Sequence, residues 1–224
     1  MEQIRNFGDK RQLGWCIYCG AKTESRDHVP SKVFLDEPYP ENLPVVPACS
    51  QCNYGFSLDE EYVACLIECV IAGAGGLIER TKIARILREK SRLQKKIRDS
   101  MRIIDSQIHF DVESDRVRNV ILKLGRGHAA YELNEPQFEE PLSVSYSALG
   151  AMNEVVVKQF ETPPVPDVFP EVGSRAMQRL FSHEEFSWII VQPQRYRYLA
   201  ACSQNEVIIR FVVREYLACE VRWA

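Results

Sequence analysis

Two C-x-x-C pairs, Cys16/Cys19 and Cys49/Cys52, constrain this chain more than any other feature. Each pair makes a tight turn that brings two thiolates to one metal, and two such turns complete the tetrahedral four-sulfur shell that a structural zinc prefers. The stretch from Trp15 to Tyr62 must then fold back on itself. Between the pairs lie Asp27, His28 and the amide Asn42, and Asn53 follows the second pair at once. A region that needed only a staple has no use for an acid, an imidazole and two amides placed in and beside it.

Composition narrows the setting. The start, MEQIRNFGDKRQLG, has no apolar run of signal-peptide length, and no segment approaches the roughly 20 apolar residues of a membrane span. A cytoplasmic location and no membrane partner are expected. Thiols stay reduced there, so the paired cysteines read as metal ligands and not as a disulfide framework. The other four, Cys65, Cys69, Cys202 and Cys219, lie in apolar helical or strand-like sequence and read as small buried residues. A formal net charge of -3 excludes a protein that coats nucleic acid by bulk electrostatics; any phosphate-binding surface must be local.

Along the chain, Glu24–Val29 reads as a short strand carrying Asp27 and His28, Pro30–Pro44 as a proline-rich loop, and Asn42–Val46 as the returning strand. Ser57 and Glu60 form an S-x-x-E capping box, so a helix is expected to start there and to end at the Gly73-Ala74-Gly75-Gly76 break. Leu77–Arg102 reads as one long helix with many basic residues. Its outer face either lies along phosphates or is a solvated, salt-bridged surface. A strand is expected at Ile108–Val112, and a helix at Asp115–Tyr131 whose apolar stripe includes His128 as a core residue. Strands are expected at Leu142–Tyr146 and Glu154–Phe160, then an antiparallel meander of three or four strands over Trp188–Gln192, Arg195–Ala201, Val207–Val213 and Leu217–Trp223. No chemistry is assigned to His109 or His183.

The order of parts, C-x-x-C, Asp27-His28 on a strand, Asn42-Leu43 on the returning strand, then C-x-x-C-Asn53, resembles the HNH endonuclease family over about the first third of the chain. The resemblance implies an α+β fold: an N-terminal zinc-stapled ββα unit over residues 1–75, then an accessory domain over 76–224. It implies phosphodiester hydrolysis, on DNA sooner than RNA, with His28 as the general base that activates water. Asp27 and Asn53 would hold a catalytic magnesium or manganese ion, Asn42 would steady the loop, and Arg26 and Lys32 would grip phosphate. The four-cysteine zinc would be structural. The accessory domain would select substrate, form a homodimer or bind a protein partner. The rival reading is a zinc-stapled module that recognises nucleic acid or protein and cleaves nothing.

Overall fold

The computed structural model describes residues 4–73, 75–104, 107–166, 169–182 and 187–224, so His183 lies outside the described residues. The N-terminal unit begins with a knuckle at Trp15–Lys22, where Gly20 turns the chain at φ 72. Strands β1 (Ser25–His28) and β2 (Val45–Ala48) then pair antiparallel, with Ser25 opposite Ala48 and His28 opposite Val45. Helix α1 (Ser50–Ala72) follows directly.

The expected helix start at Ser57 is corrected. Cys49 occupies the cap position, and its Sγ accepts the Cys52 N–H at 3.4 Å, so the second knuckle is itself the first turn of the helix. A helix offers unpaired N–H groups at its start, and the Cys49 sulfur accepts one of them upstream of the turn that the Ser57 hydroxyl would have capped. Glu60 is thereby freed from capping and buried. Gly73 ends α1 at φ 68, donating to the Cys69 and Val70 carbonyls.

Residues 77–102 are not one helix. Helices α2 (Thr81–Glu89) and α3 (Ser91–Asp99) are separated at Lys90, whose backbone leaves the helical region at φ -107, ψ 71. At 3.6 residues per turn a straight helix would rotate Leu93 and Ile97 about 80° away from Ile83 and Leu87. The break lets both apolar pairs pack on α1. The chain then forms a hairpin of β3 (Met101–Ile104) and β4 (Gln107–Phe110), so the expected helical end at Arg102 is corrected to strand.

Helix α4 (Ser114–His128), continued by a widened turn at Ala129–Leu133, lies between the N-terminal unit and the large sheet. Two of its glycines make that fit possible. A Cβ on Gly127 would sit 2.5 Å from Val29 of the loop after β1, and one on Gly125 would sit 3.0 Å from the Trp223 ring. The sheet has five antiparallel strands in the order β5 (Ser143–Ala148), β9 (Leu217–Trp223), β8 (Glu206–Val213), β7 (Tyr196–Ser203) and β6 (Ile189–Gln192). It is one or two strands wider than the meander expected, because β5 joins at the β9 edge.

The expected strand at Glu154–Phe160 is a helix, α5 (Glu154–Glu161). Asn153 Oδ1 accepts the Val156 N–H at 2.9 Å and starts it, which outweighs the strand preference of three consecutive valines. Phe160 of α5 packs with Val212 and Ala218 on one face of the sheet, while Val207, Ile209, Phe211 and Val221 join the main core that α4 closes on the other. A short helix, α6 (Arg175–Phe181), capped by the Ser174 hydroxyl, completes the fold. One buried cluster runs from Cys16 to Trp223. Among the described residues, no helix is long and apolar enough to cross a membrane.

Candidate functional site

The four sulfurs of Cys16, Cys19, Cys49 and Cys52 lie within 4.8 Å of one another. Cys19 and Cys49 are 3.7 Å apart, and a tetrahedron with zinc–sulfur bonds of about 2.3 Å has sulfur–sulfur edges of about 3.8 Å. The donor set and its spacing can therefore hold one structural metal ion such as zinc. The Cys52 N–H draws the Cys49 thiol down to about 7, while burial and the neighbouring sulfurs hold Cys52 up. Cys16 is buried and Cys19 exposed, so the cluster sits at the surface with one side sealed by the core. Of the other cysteines, Cys65, Cys202 and Cys219 are buried.

The cluster fixes β1 against the first turn of α1. Asn53, in that turn, donates through Nδ2 to Ser25 Oγ at 3.1 Å and to the Arg26 carbonyl at 3.3 Å. Successive strand residues face opposite ways, which sets His28 and the exposed Arg26 against the side taken by Ser25 and the buried Asp27. His28 is half-buried at the strand end. Burial and the nearby Lys32 ammonium lower its pKa, so at neutral pH the ring is an uncharged base. Lys32 is exposed, with Nζ 5.3 Å from the centre of the Tyr39 ring. Asn42 lies in the loop that leads into β2.

Asp27 faces inward. Its Oδ2 accepts from the Tyr18 hydroxyl at 2.7 Å and meets the Lys123 ammonium at 2.9 Å. Lys123 Nζ, on α4, also lies 2.6 Å from Glu60 Oε1 and donates to Ser31 Oγ at 2.6 Å and the His28 carbonyl at 3.3 Å. Ser31 Oγ in turn donates to Glu60. Burial raises the Glu60 and Tyr18 pKa values, the adjacent Asp27 adding to the effect on Tyr18. Lys123 thus joins α1, β1, the following loop and α4 at one buried point, and its bond to the His28 carbonyl holds the end of the strand.

Lys123, Ser31 and Tyr18 did not emerge from motif reading, and Glu60 was expected only as a helix cap. One signal was present: Lys123 borders an otherwise apolar stripe of Val120, Ile121 and Leu124 on α4, and a lysine there must bring its own carboxylates. His128, on the same helix, is fully buried, stacked on Tyr198 with ring centres 3.8 Å apart and hydrogen-bonded to the Tyr196 hydroxyl at 2.7 Å. It is a core histidine.

A second junction ties the loop after β1 to the sheet. Buried Arg80 bonds Asp36, Glu68 and the Val33 and Leu35 carbonyls, and Asp36 also pairs with Arg195 beside β7. Gln192 of β6 exchanges two hydrogen bonds with the Asp36 backbone. Comparison with protein-family models, characterised proteins and solved structures gives no match to this chain.

Proposed function

We propose that the chain is an HNH-type endonuclease that hydrolyses phosphodiester bonds of DNA, with His28 as the general base and the four cysteines around a structural zinc. The observation that carries this reading is the hairpin-then-helix unit itself: β1, β2 and α1 in chain order, clamped by four sulfurs, with the His28 imidazole at the end of β1. His28 takes the proton from a water whose oxygen attacks phosphorus, one P–O bond forming as the other breaks. Arg26 and Lys32, both exposed, lie within four residues of His28 and neutralise phosphate charge.

The magnesium or manganese ion that the resemblance implies does not fit the ligands as they stand. Asp27 is already neutralised by Lys123 and bonded by Tyr18, and the Asn53 amide bonds Ser25 Oγ, on the side of β1 opposite His28. For Asp27 to bind an ion, Lys123 would have to leave it. The chemistry ascribed to this chain is therefore that of His28 and its flanking cations.

Nicking of supercoiled DNA, measured with magnesium, with manganese and with neither, tests the proposal. Wild type nicks under at least one condition, and His28→Ala loses about 100-fold or more while keeping its fold and metal. Nicking that survives His28→Ala, or none under any condition, overturns it. The buried Asp27–Lys123 pair favours a second reading, a metal-stapled module that recognises nucleic acid or a protein partner without cleaving, for which His28→Ala alters no activity.

A further inference from the structure

The cations of α2 and α3 are not distributed as a salt-bridged surface would be. Over Thr81–Asp99 there are eight Lys or Arg residues against two acids, Glu89 and Asp99, in a chain whose formal net charge is -3. Some are engaged: Lys82 donates to the Lys32 carbonyl and the Tyr39 hydroxyl, Lys90 pairs with Glu61, Lys96 with Glu113, and Arg98 approaches Asp99 at 4.0 Å. Four others, Arg85, Arg88, Arg92 and Lys95, are exposed and form no ion pair or hydrogen bond among the described residues. Arg85 and Arg88 lie on α2 away from buried Ile83 and Leu87, and Arg92 and Lys95 on α3 away from buried Ile97.

The row begins beside the hairpin unit. Lys32, four residues beyond His28, and Lys82 both place Nζ over the Tyr39 ring, at 5.3 and 5.1 Å. Arg85 and Arg88 follow Lys82 at steps of three along α2, which keeps neighbours adjacent on a helix surface. The break at Lys90 bends the line without reversing its charge. Each nine-residue helix is about 14 Å long at 1.5 Å per residue, which matches about four phosphates of one DNA strand at 3.4 Å each.

We propose that this row, Lys32–Lys82–Arg85–Arg88–Arg92–Lys95, is a docking track for the phosphate backbone of duplex DNA, reading charge and not bases. The choice of DNA rests on the nuclease reading; the track itself does not. Four side chains left without acids satisfy the requirement of a polyanion whose affinity comes from releasing counterions.

The test is fluorescence anisotropy of a labelled 20-base-pair duplex, without divalent ions, over a salt series. Wild type binds with an affinity that falls steeply with salt. Arg85→Gln/Arg88→Gln/Arg92→Gln/Lys95→Gln lowers the magnitude of the log–log slope by about 3 to 4, near 0.9 for each phosphate no longer neutralised. The half variants Arg85→Gln/Arg88→Gln and Arg92→Gln/Lys95→Gln each lower it by about half as much, so the answer does not depend on the quadruple variant folding. Lys10→Gln/Lys158→Gln, at exposed sites elsewhere, leaves it unchanged. His28→Ala also binds as wild type, so loss of cleavage and loss of docking are read separately. An unchanged slope in the quadruple or both half variants overturns the track. So does displacement of the duplex by polyglutamate of equal charge as readily as by unlabelled DNA, which would assign the surface to an acidic protein.

Discussion

The hairpin unit and the five-stranded sheet solve the same problem by different physics. β1 and β2 pair over four residues each, and a two-stranded ribbon of that size is not stable alone in water. Beyond its share of the common apolar core, through Ile17, Val29 and Val46, it is held by polar means: a sulfur cluster at one end and, behind it, a lysine between two carboxylates. The sheet pairs β7 with β8 over eight residues and β8 with β9 over seven, and it is closed by apolar residues from both faces. Its burial energy is non-directional and grows with area. The unit around His28 depends in addition on a few directed interactions, which fix a side chain's position but fail together when one partner is removed.

That contrast is sharpest at single residues. Lys123→Met leaves Asp27 and Glu60 buried without their cation and is expected to cost about 3–5 kcal/mol in chemical denaturation. Adding Asp27→Asn and Glu60→Gln removes the stranded charges and should restore part of the loss. In the sheet, Ile209→Val should cost only about 0.5–1.5 kcal/mol, because one methyl is removed from a core that otherwise stays packed. Equal effects at the two sites would dissolve the distinction.

A smaller effect separates the regions by pH. Burial holds His128, between α4 and the sheet, well below its ordinary value, and His28 is lowered more mildly. The unfolded chain takes up protons at these rings from about pH 6.5 downward. The folded chain resists, so stability falls as pH drops through that window. His128→Phe should flatten much of the fall, as read by thermal unfolding from pH 7.5 to 5, leaving the lesser slope that belongs to His28. Glu60, raised by burial, pulls the opposite way in both proteins and cancels in the difference.

Much of this was legible in the sequence, for identifiable reasons. The four-cysteine cluster was readable because C-x-x-C spacing is itself a geometric statement, and the last strands because turn residues punctuate them. The break at Lys90 was hidden because the local sequence is helical on both sides; only the need to bring Leu93 and Ile97 back onto α1 reveals it. Helix α5 was misread because Asn153 as a cap carries more weight than the valines after it. The inward turn of Asp27 was not legible at all. Its partners Tyr18, Glu60 and Lys123 are spread over three elements, and nothing near Asp27 in the sequence announces a lysine from α4.

The claim beneath all of this is that a metal on four sulfurs holds the strand that carries His28, while the sheet stands without it. Metal analysis of protein purified under reducing conditions, followed by amide hydrogen exchange before and after chelation, tests it directly. The account predicts one zinc per chain, lost in Cys49→Ser, and faster exchange on chelation over residues 15–62 with β7, β8 and β9 still protected. No bound metal, or an equal rise in exchange across both regions, would contradict it.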